Sequence, residues 1–372
     1  VRLYMGVQIA AGICVALSYS LLFWETFNLA PAAGFGVLLA GLCEVLYTFM
    51  LCFVVLNVAV AKDNSPNQFY GLAIGWVIVA GAYGAGAVSG GCFNPAVAIG
   101  IDVASYQIGF GWCIFYTLCE FVGSALAVGA FMVVRPQDFG KEKGLSAELA
   151  SEFLGTFLLV LTVGLNVLGK SLAGAYSIAA SLMCMIYTLG DVSGAHFNPA
   201  VTVAILASGR CGDGLTPAKA GSFIGAQLAE AAVAEATYSV IHKGGSFPLG
   251  QGASFGWGEV AVAEIVFTFV LCYMVLSVAV STTTEASIMF GLAIGACVTV
   301  GGNAIGAISG GSLNPAVSFG IVLAHLPAGG SVIPFLAHSL FEFVSAVAAA
   351  GVFKVTHAVD EEGLLKDAGS KA

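Results

Sequence analysis

The sequence predicts an all-α polytopic membrane protein built from inverted repeats, and three observations carry that prediction. Hydrophobic residues make up 59% of the 372 and charged residues only 9%, with a mean hydropathy of +0.96, against roughly 25% charged in a soluble globular chain. Apolar runs long enough to cross a bilayer recur along the whole chain. The stretch Ser-Gly-Gly-Ser-Leu-Asn-Pro-Ala-Val at 309–317 also has two further versions, at 89–97 and 193–201.

The spanning runs fall at 3–23, 36–61, 69–87, 110–134, 147–168, 172–189, 219–241, 258–281, 288–305 and 331–354, ten in all. Several are rich in Gly and Ala, which in lipid marks close helix packing rather than loops. Between spans lie the three Asn-Pro-Ala segments, too short to cross. Asn is a favoured N-cap and Pro suits the first helical position, where its missing N–H costs nothing, so each segment is expected to open a short half-helix entering the membrane. With the N-terminus inside, 10 of the 12 Lys and Arg fall on the inner side, leaving Lys170 and Lys243 outside; the positive-inside rule fixes that orientation. A polar linker at 136–145 and a Gly-rich outer linker at 242–256 interrupt the spans, and a polar tail follows at 358–372.

The spans group into repeats. Glu44, the run Gly71-Leu72-Ala73-Ile74-Gly75 and Asn94 recur as Glu264, Gly291-Leu292-Ala293-Ile294-Gly295 and Asn314, each at an offset of 220 residues. A related middle unit has Glu152 in its first span and Asn198 opening its half-helix. Each unit is span, span, half-helix, span. Three spans is an odd number, so successive units are inserted upside down, and opposed half-helices meet near the membrane midplane.

Composition excludes some roles. A net charge of −9 argues against nucleic-acid binding, which needs basic surface. The ten Cys lie mostly in apolar runs without the short paired spacings of a zinc site, so packing is their expected role. No nucleophile arrangement, metal-ligand cluster or phosphate loop is legible, and no enzyme activity, cofactor or metal is expected. The chain opens on Val1 rather than Met and has no cleavable signal pattern, which reads as a truncated or processed product.

The three Asn-Pro-Ala motifs in their flanks, Ser-Gly-Ala-His-Phe at 193–197 and Ser-Gly-Gly-Ser at 309–312, together with a Glu four residues before a Thr in each unit (Glu44/Thr48, Glu152/Thr156, Glu264/Thr268), resemble the aquaporin, or major intrinsic protein, family over nearly the whole length. The resemblance implies that residues 146–357 form one complete six-span channel module. Residues 1–135 would be a partial module, consisting of the third span of a first half (3–23) and a whole second half, in a tandem duplicate whose first half-module lies mostly upstream. It implies that Asn198-Pro199-Ala200 and Asn314-Pro315-Ala316 line a pore, with Asn94-Pro95-Ala96 their copy in the partial module. It gives Glu44, Glu152, Glu264 and His196 the task of holding or flanking the half-helix loops. The family's spacing places the selectivity filter at Ile178, Gly302, Gly311 and Val317, the last where the family usually has Arg.

A filter with no aromatic, His or cation is wider and more apolar than a strict water filter, which favours small neutral solutes such as glycerol, urea, ammonia, hydrogen peroxide or a dissolved gas, with or without water. Paired Asn caps and two helix N-termini of roughly +0.5 charge each would disfavour cations and protons. The expected partners are the lipid bilayer, a small neutral solute and further copies in a tetramer-like arrangement or a larger membrane complex. A non-conducting structural subunit is the alternative. A proton-coupled carrier using Glu120, Glu230 and Glu342 is a weaker one, since buried carboxylates in spans, Glu235 included, are functional candidates by default.

Overall fold

In a computed structural model the described residues are all but 211–213, 283, 285–286 and 359–372. Most of the polar tail expected at 358–372 therefore lies outside them. Lipid offers no partner for backbone N–H and C=O groups, so spanning segments must satisfy them internally. The apolar runs accordingly form helices: α1 (Arg2–Phe23), α2 (Val37–Val55), α3 (Tyr70–Ser89), α4 (Pro95–Ala104), α5 (Trp112–Val134), α6 (Leu145–Leu168), α7 (Gly174–Ser193), α8 (Pro199–Ser208), α9 (Pro217–Ile241), α10 (Trp257–Val275), α11 (Phe290–Ser309), α12 (Pro315–His325) and α13 (Ile333–Thr356). Helices α2 and α10 each continue through one wider turn, Leu56–Val60 and Leu276–Val280.

Nine of these helices are long and apolar enough to cross a membrane, among the described residues. The tenth long helix, α9, occupies the expected span at 219–241 but carries Gln227, Glu230 and Glu235 and is less apolar. The three short helices α4, α8 and α12 each begin at the Pro of an Asn-Pro-Ala motif. Helices α7 and α11 run four residues past the expected ends at 189 and 305, because their terminal Ser stays helical and the following Gly takes the left-handed cap.

Unit one is α2–α5, unit two α6–α9 and unit three α10–α13. Units two and three pack into one bundle: α6 packs on α7 and α9, α10 on α11 and α13, α7 on α11, and α8 on α13. Unit one lies outside this bundle with α3 along α7, and α1 packs on α4 as α9 packs on α12. The contact is a continuous core rather than a tether: Phe53, Val77 and Phe93 of unit one share one buried cluster with Leu158, Met183 and Val317. Polar contacts cross the boundary too. Tyr47 Oη lies 3.0 Å from Thr162 Oγ1, and Ser177 Oγ donates to the Ala80 carbonyl at 2.9 Å.

At the linker end, Arg135 is fully buried. Its guanidinium pairs with Asp191 and donates to Asn57 Oδ1 (2.9 Å) and the Thr188 carbonyl (2.9 Å). In the basic-residue count it is one more solvated charge on the inner side; in the fold it is a bolt between unit one and the end of α7.

Candidate functional site: a pore between opposed half-helices

Each half-helix loop is built from the same parts. Helices α3, α7 and α11 end at Ser89, Ser193 and Ser309, and the next residues, Gly90, Gly194 and Gly310, are left-handed at φ 88°, 89° and 91°. Only glycine adopts that conformation without steric cost, which is why all three copies read Ser-Gly. The chain turns left-handed again at Phe93, Phe197 and Leu313 (φ 54°, 49°, 53°), positions where a side chain is strained and the surroundings must enforce the geometry.

A buried carboxylate does the enforcing. Glu152 Oε1 accepts from Ser193 Oγ (2.7 Å) and the His196 amide (3.0 Å), and its Oε2 from the Phe197 amide (2.8 Å) and Gln227 Nε2 (2.8 Å). Glu264 accepts from Ser309 Oγ (2.6 Å) and the Ser312 and Leu313 amides (3.2 and 3.1 Å). Glu44 accepts from Ser89 Oγ (2.7 Å) and the Cys92 and Phe93 amides (3.0 and 2.8 Å). A carboxylate in a span is tolerable because charge-assisted bonds to backbone N–H groups offset its desolvation.

The loops then present the Asn caps. Asn198 Oδ1 accepts from the Ala200 amide at 2.8 Å, and Asn314 Oδ1 from the Ala316 amide at 2.9 Å. The two half-helices meet reciprocally: Asn198 Nδ2 donates to the Leu313 carbonyl (2.8 Å) and Asn314 Nδ2 to the Phe197 carbonyl (2.9 Å). Each amide nitrogen has two N–H donors, so one per residue is spent across the junction and one is left to face the cavity. The carbonyls of the left-handed residues 313 and 197 take one each. Pro199, Ala200, Pro315 and Ala316 are buried in the first turns behind them.

The cavity has a volume of about 510 Å³ and is lined by Asn198 and Asn314 together with all four expected filter positions, Ile178, Gly302, Gly311 and Val317. His196 lines it on the side of the α7–α8 loop, its Nδ1 3.1 Å from Thr202 Oγ1 and its ring edge-on to Phe223. Among the described residues no group of three His, Cys, Asp or Glu is placed to hold a metal.

Three groups at the site have a role that the sequence reading did not assign to them. Glu342, named there as a carrier candidate, holds the α11–α12 loop: its Oε1 accepts from Ser312 Oγ (2.8 Å), the Asn314 amide (2.9 Å) and Ser318 Oγ (3.2 Å). Gln227 is its inverted counterpart, bridging Glu152 and Thr202 Oγ1 (3.2 Å). The offsets 314−198 and 318−202 are both 116 and 342−227 is 115, a regularity that repeat arithmetic extended to the last span of each unit would have exposed. Lys170, in the turn after α6, lines the outer end of the cavity. Glu230 does not line it; both its oxygens are buried without a hydrogen-bond partner among the described residues, as are those of Glu120.

The sequence matches the major intrinsic protein family over residues 1–132 and again over 140–353. The chain belongs to that family. It is accordingly a multi-pass integral membrane channel protein and not an enzyme. Among aquaporin relatives it is 30% identical over 243 residues to the probable aquaporin AqpM of Archaeoglobus fulgidus, covering 56% of this chain and 96% of that one. It is 31% identical over 221 residues to aquaporin NIP1-2 of Oryza sativa subsp. japonica, covering 52% of this chain and 71% of the relative. A crystal structure of the aquaglyceroporin from Plasmodium falciparum superposes over 59% of this chain and 99% of its own, with 19% identity and a TM-score of 0.48.

Within this family frame, the aquaporin loop architecture of unit one stands open. Asn94 Oδ1 caps the Ala96 amide at 3.0 Å, but Asn94 is exposed, its Nδ2 meets no acceptor among the described residues, and Val97, the counterpart of Val317, is 42% exposed. Pro95 and Ala96 follow as in the other copies. This face carries half of the constellation that units two and three assemble in full.

Proposed function

We propose that the cavity between α8 and α12 is a passive pore for small neutral solutes broader than water alone, such as glycerol, urea, ammonia or hydrogen peroxide, and that the two Asn caps exclude cations and protons from it. The observation that carries the reading is the reciprocal pairing of Asn198 and Asn314 inside a cavity whose filter positions are Ile178, Gly302, Gly311 and Val317. A solute at the junction meets two amide donors, and the four filter positions offer it only aliphatic groups or bare backbone. Two helix N-termini converge on the same point, and their partial positive charges repel a cation. With Val317 in place of a cation, the only fixed side-chain positive charge on the lining is that of Lys170, at the outer end, among the described residues. Proton and ion exclusion would rest on the junction and solute choice on the aliphatic filter.

In the same reading, residues 1–135 are the later part of a second channel module, joined through 136–145 to the complete one at 146–357. Helix α1 packs on α4 as α9 packs on α12, which supports reading α1 as the last span of an inverted half. A second copy of this chain would insert with the same sidedness, so its α4 would approach from the same side and could not face Asn94. The counter-helix would have to come from an inverted unit, as α8 is to α12.

Stopped-flow swelling of proteoliposomes in water, glycerol and urea tests the pore. Permeability above that of empty vesicles for at least one neutral solute, without proton leak, is the expected result. No increase for any solute would sink the channel reading in favour of a structural subunit.

A further inference from the structure

Unit one is not needed to enclose the cavity, yet one of its loops reaches the inner mouth. The chain between α2 and α3 folds back at 61–69. Asn67 Nδ2 donates to the Val58 carbonyl at 2.7 Å, and its Oδ1 accepts from the Phe69 amide at 3.1 Å. The loop is fastened to unit two, where Asn64 Nδ2 donates to the Tyr187 carbonyl at 3.0 Å. Behind it the linker locks down: Lys62 Nζ donates to the Asp138 carbonyl (3.0 Å), and Arg135 pairs with Asp191 one turn beyond Tyr187.

The loop delivers one aromatic ring. Phe69 stacks on Tyr187 with centroids 4.5 Å apart and planes at 19°, and meets Phe290 edge-on at 6.5 Å. Tyr187 itself sits edge-on to Phe290 at 5.3 Å. The Tyr187 hydroxyl donates to the Ile288 carbonyl (2.8 Å) and accepts from the Leu292 amide (3.1 Å), so the ring that Phe69 covers also pins the start of α11. Phe290 and Ile186, the neighbour of Tyr187, both line the pore cavity. A second cavity of about 320 Å³ lies between the loop and this mouth, bordered by Asn64, Phe69, Ile186, Tyr187 and Phe290.

We propose that Phe69 of unit one is a positioning residue for the pore of units two and three: by stacking on Tyr187 it holds Phe290 and the start of α11 at the cavity wall and keeps the inner mouth open. The partial module thereby takes part in conduction by a pore it does not line. The proposal rests on the pore reading above, and its experiment separates the two. The sign follows from packing. A Phe side chain released from an aromatic cluster beside an apolar lumen gains burial by turning into it, so losing Phe69 narrows the mouth.

The test uses the full chain in liposomes with two readouts. Hydrogen exchange over 288–294 reports the pinning. In Phe69→Ala it should accelerate about three- to tenfold, the Boltzmann equivalent of one aromatic pair, while Phe69→Tyr, which keeps the stack, exchanges as wild type. Solute permeability reports the mouth. It should fall about twofold or more in Phe69→Ala, stay at the wild-type level in Phe69→Tyr, and recover when Phe290→Ala is added to Phe69→Ala. Wild-type exchange over 288–294 in Phe69→Ala overturns the proposal, and so does wild-type permeability of that variant in vesicles that conduct. Wild-type vesicles that do not conduct would refute the pore reading, and exchange would still decide whether Phe69 positions α11.

Discussion

Glu152→Gln is the sharpest test of how the half-helix loops are held. The carboxylate is fully buried and accepts four hydrogen bonds, two on each oxygen. A carboxamide keeps one acceptor oxygen, and in its cheaper orientation the NH₂ faces Ser193, whose hydroxyl can turn to accept, and the His196 amide, which cannot. Four charge-assisted bonds at about 1.5–3 kcal/mol each are replaced by three neutral ones at about 0.5–1.5, and one buried donor is orphaned. Against that, a charge worth roughly 2.5–3.5 kcal/mol on insertion scales is removed from the span. The difference is a loss of about 2–8 kcal/mol, so local opening of 193–198 should become more frequent by roughly 30-fold or more. Hydrogen exchange at the His196 and Phe197 amides measures it, and stopped-flow permeability should drop with it, because the Phe197 carbonyl anchors Asn314. Glu148→Gln, whose partner Lys219 lies at the partly exposed end of α9, is the control and should change little, as peripheral ion pairs contribute about 0–1 kcal/mol. Exchange at His196 and Phe197 within about threefold of wild type in Glu152→Gln would refute the assignment, since that is under 1 kcal/mol.

Other variants probe the remaining layers. Val317→Arg places a guanidinium on the filter wall. Glycerol and urea fluxes should fall about tenfold or more, the effect of roughly 1.4 kcal/mol at the barrier, with water flux less affected; parallel losses for all solutes would count against Val317 as a size filter. Asn314→Asp keeps a good N-cap but removes the donor to the Phe197 carbonyl and puts a carboxylate where two helix N-termini converge. Cation conductance in planar bilayers should appear, and an ion-tight variant would mean that exclusion lies elsewhere. Arg135→Ala strips Asn57 and Asp191 of a buried cation. Breaking a buried pair costs about 3–5 kcal/mol, reduced here to about 2–3 because the Asp191 side chain is 33% exposed; the thermal midpoint in detergent should fall, and an unchanged midpoint would remove Arg135 as the bolt between units.

What the sequence revealed and what it hid divide along one physical line. The half-helices, their Asn caps and Glu44, Glu152 and Glu264 were legible because each is required by local backbone chemistry, a cap or a left-handed turn or a buried N–H, and local chemistry leaves the same residues at the same spacing in every copy. Arg135, Phe69 and Tyr187 were not, because their partners lie on other units: Phe69 and Tyr187 are 118 positions apart, Arg135 and Asp191 56, and neither pair recurs at the repeat offset. Periodicity detects what a unit needs to fold, not what joins one unit to another. Glu342 falls between these cases. Its counterpart in unit one, Glu120, stands at an offset of 222 rather than 220, and Tyr116 and His338 keep that offset while both bonding the carbonyl that ends the preceding long helix, at Ser89 and Ser309. The two-residue slip lies in the connection after the half-helix, where length is free to drift. The last spans therefore stay in structural register after the sequence register has moved. Yet Glu342 holds three donors and Glu120 none among the described residues. All three donors to Glu342 belong to unit three itself, and at the offset of 220 Ser312 and Ser318 become Cys92 and Ala98, so the two hydroxyls that satisfy Glu342 have no counterpart around Glu120. Glu342→Gln should therefore lower the thermal midpoint in detergent while Glu120→Gln changes it little, since only the first loses charge-assisted bonds to three donors, each worth about 1.5–3 kcal/mol; equal losses in the two variants would mean that Glu120 holds partners of the same strength within unit one.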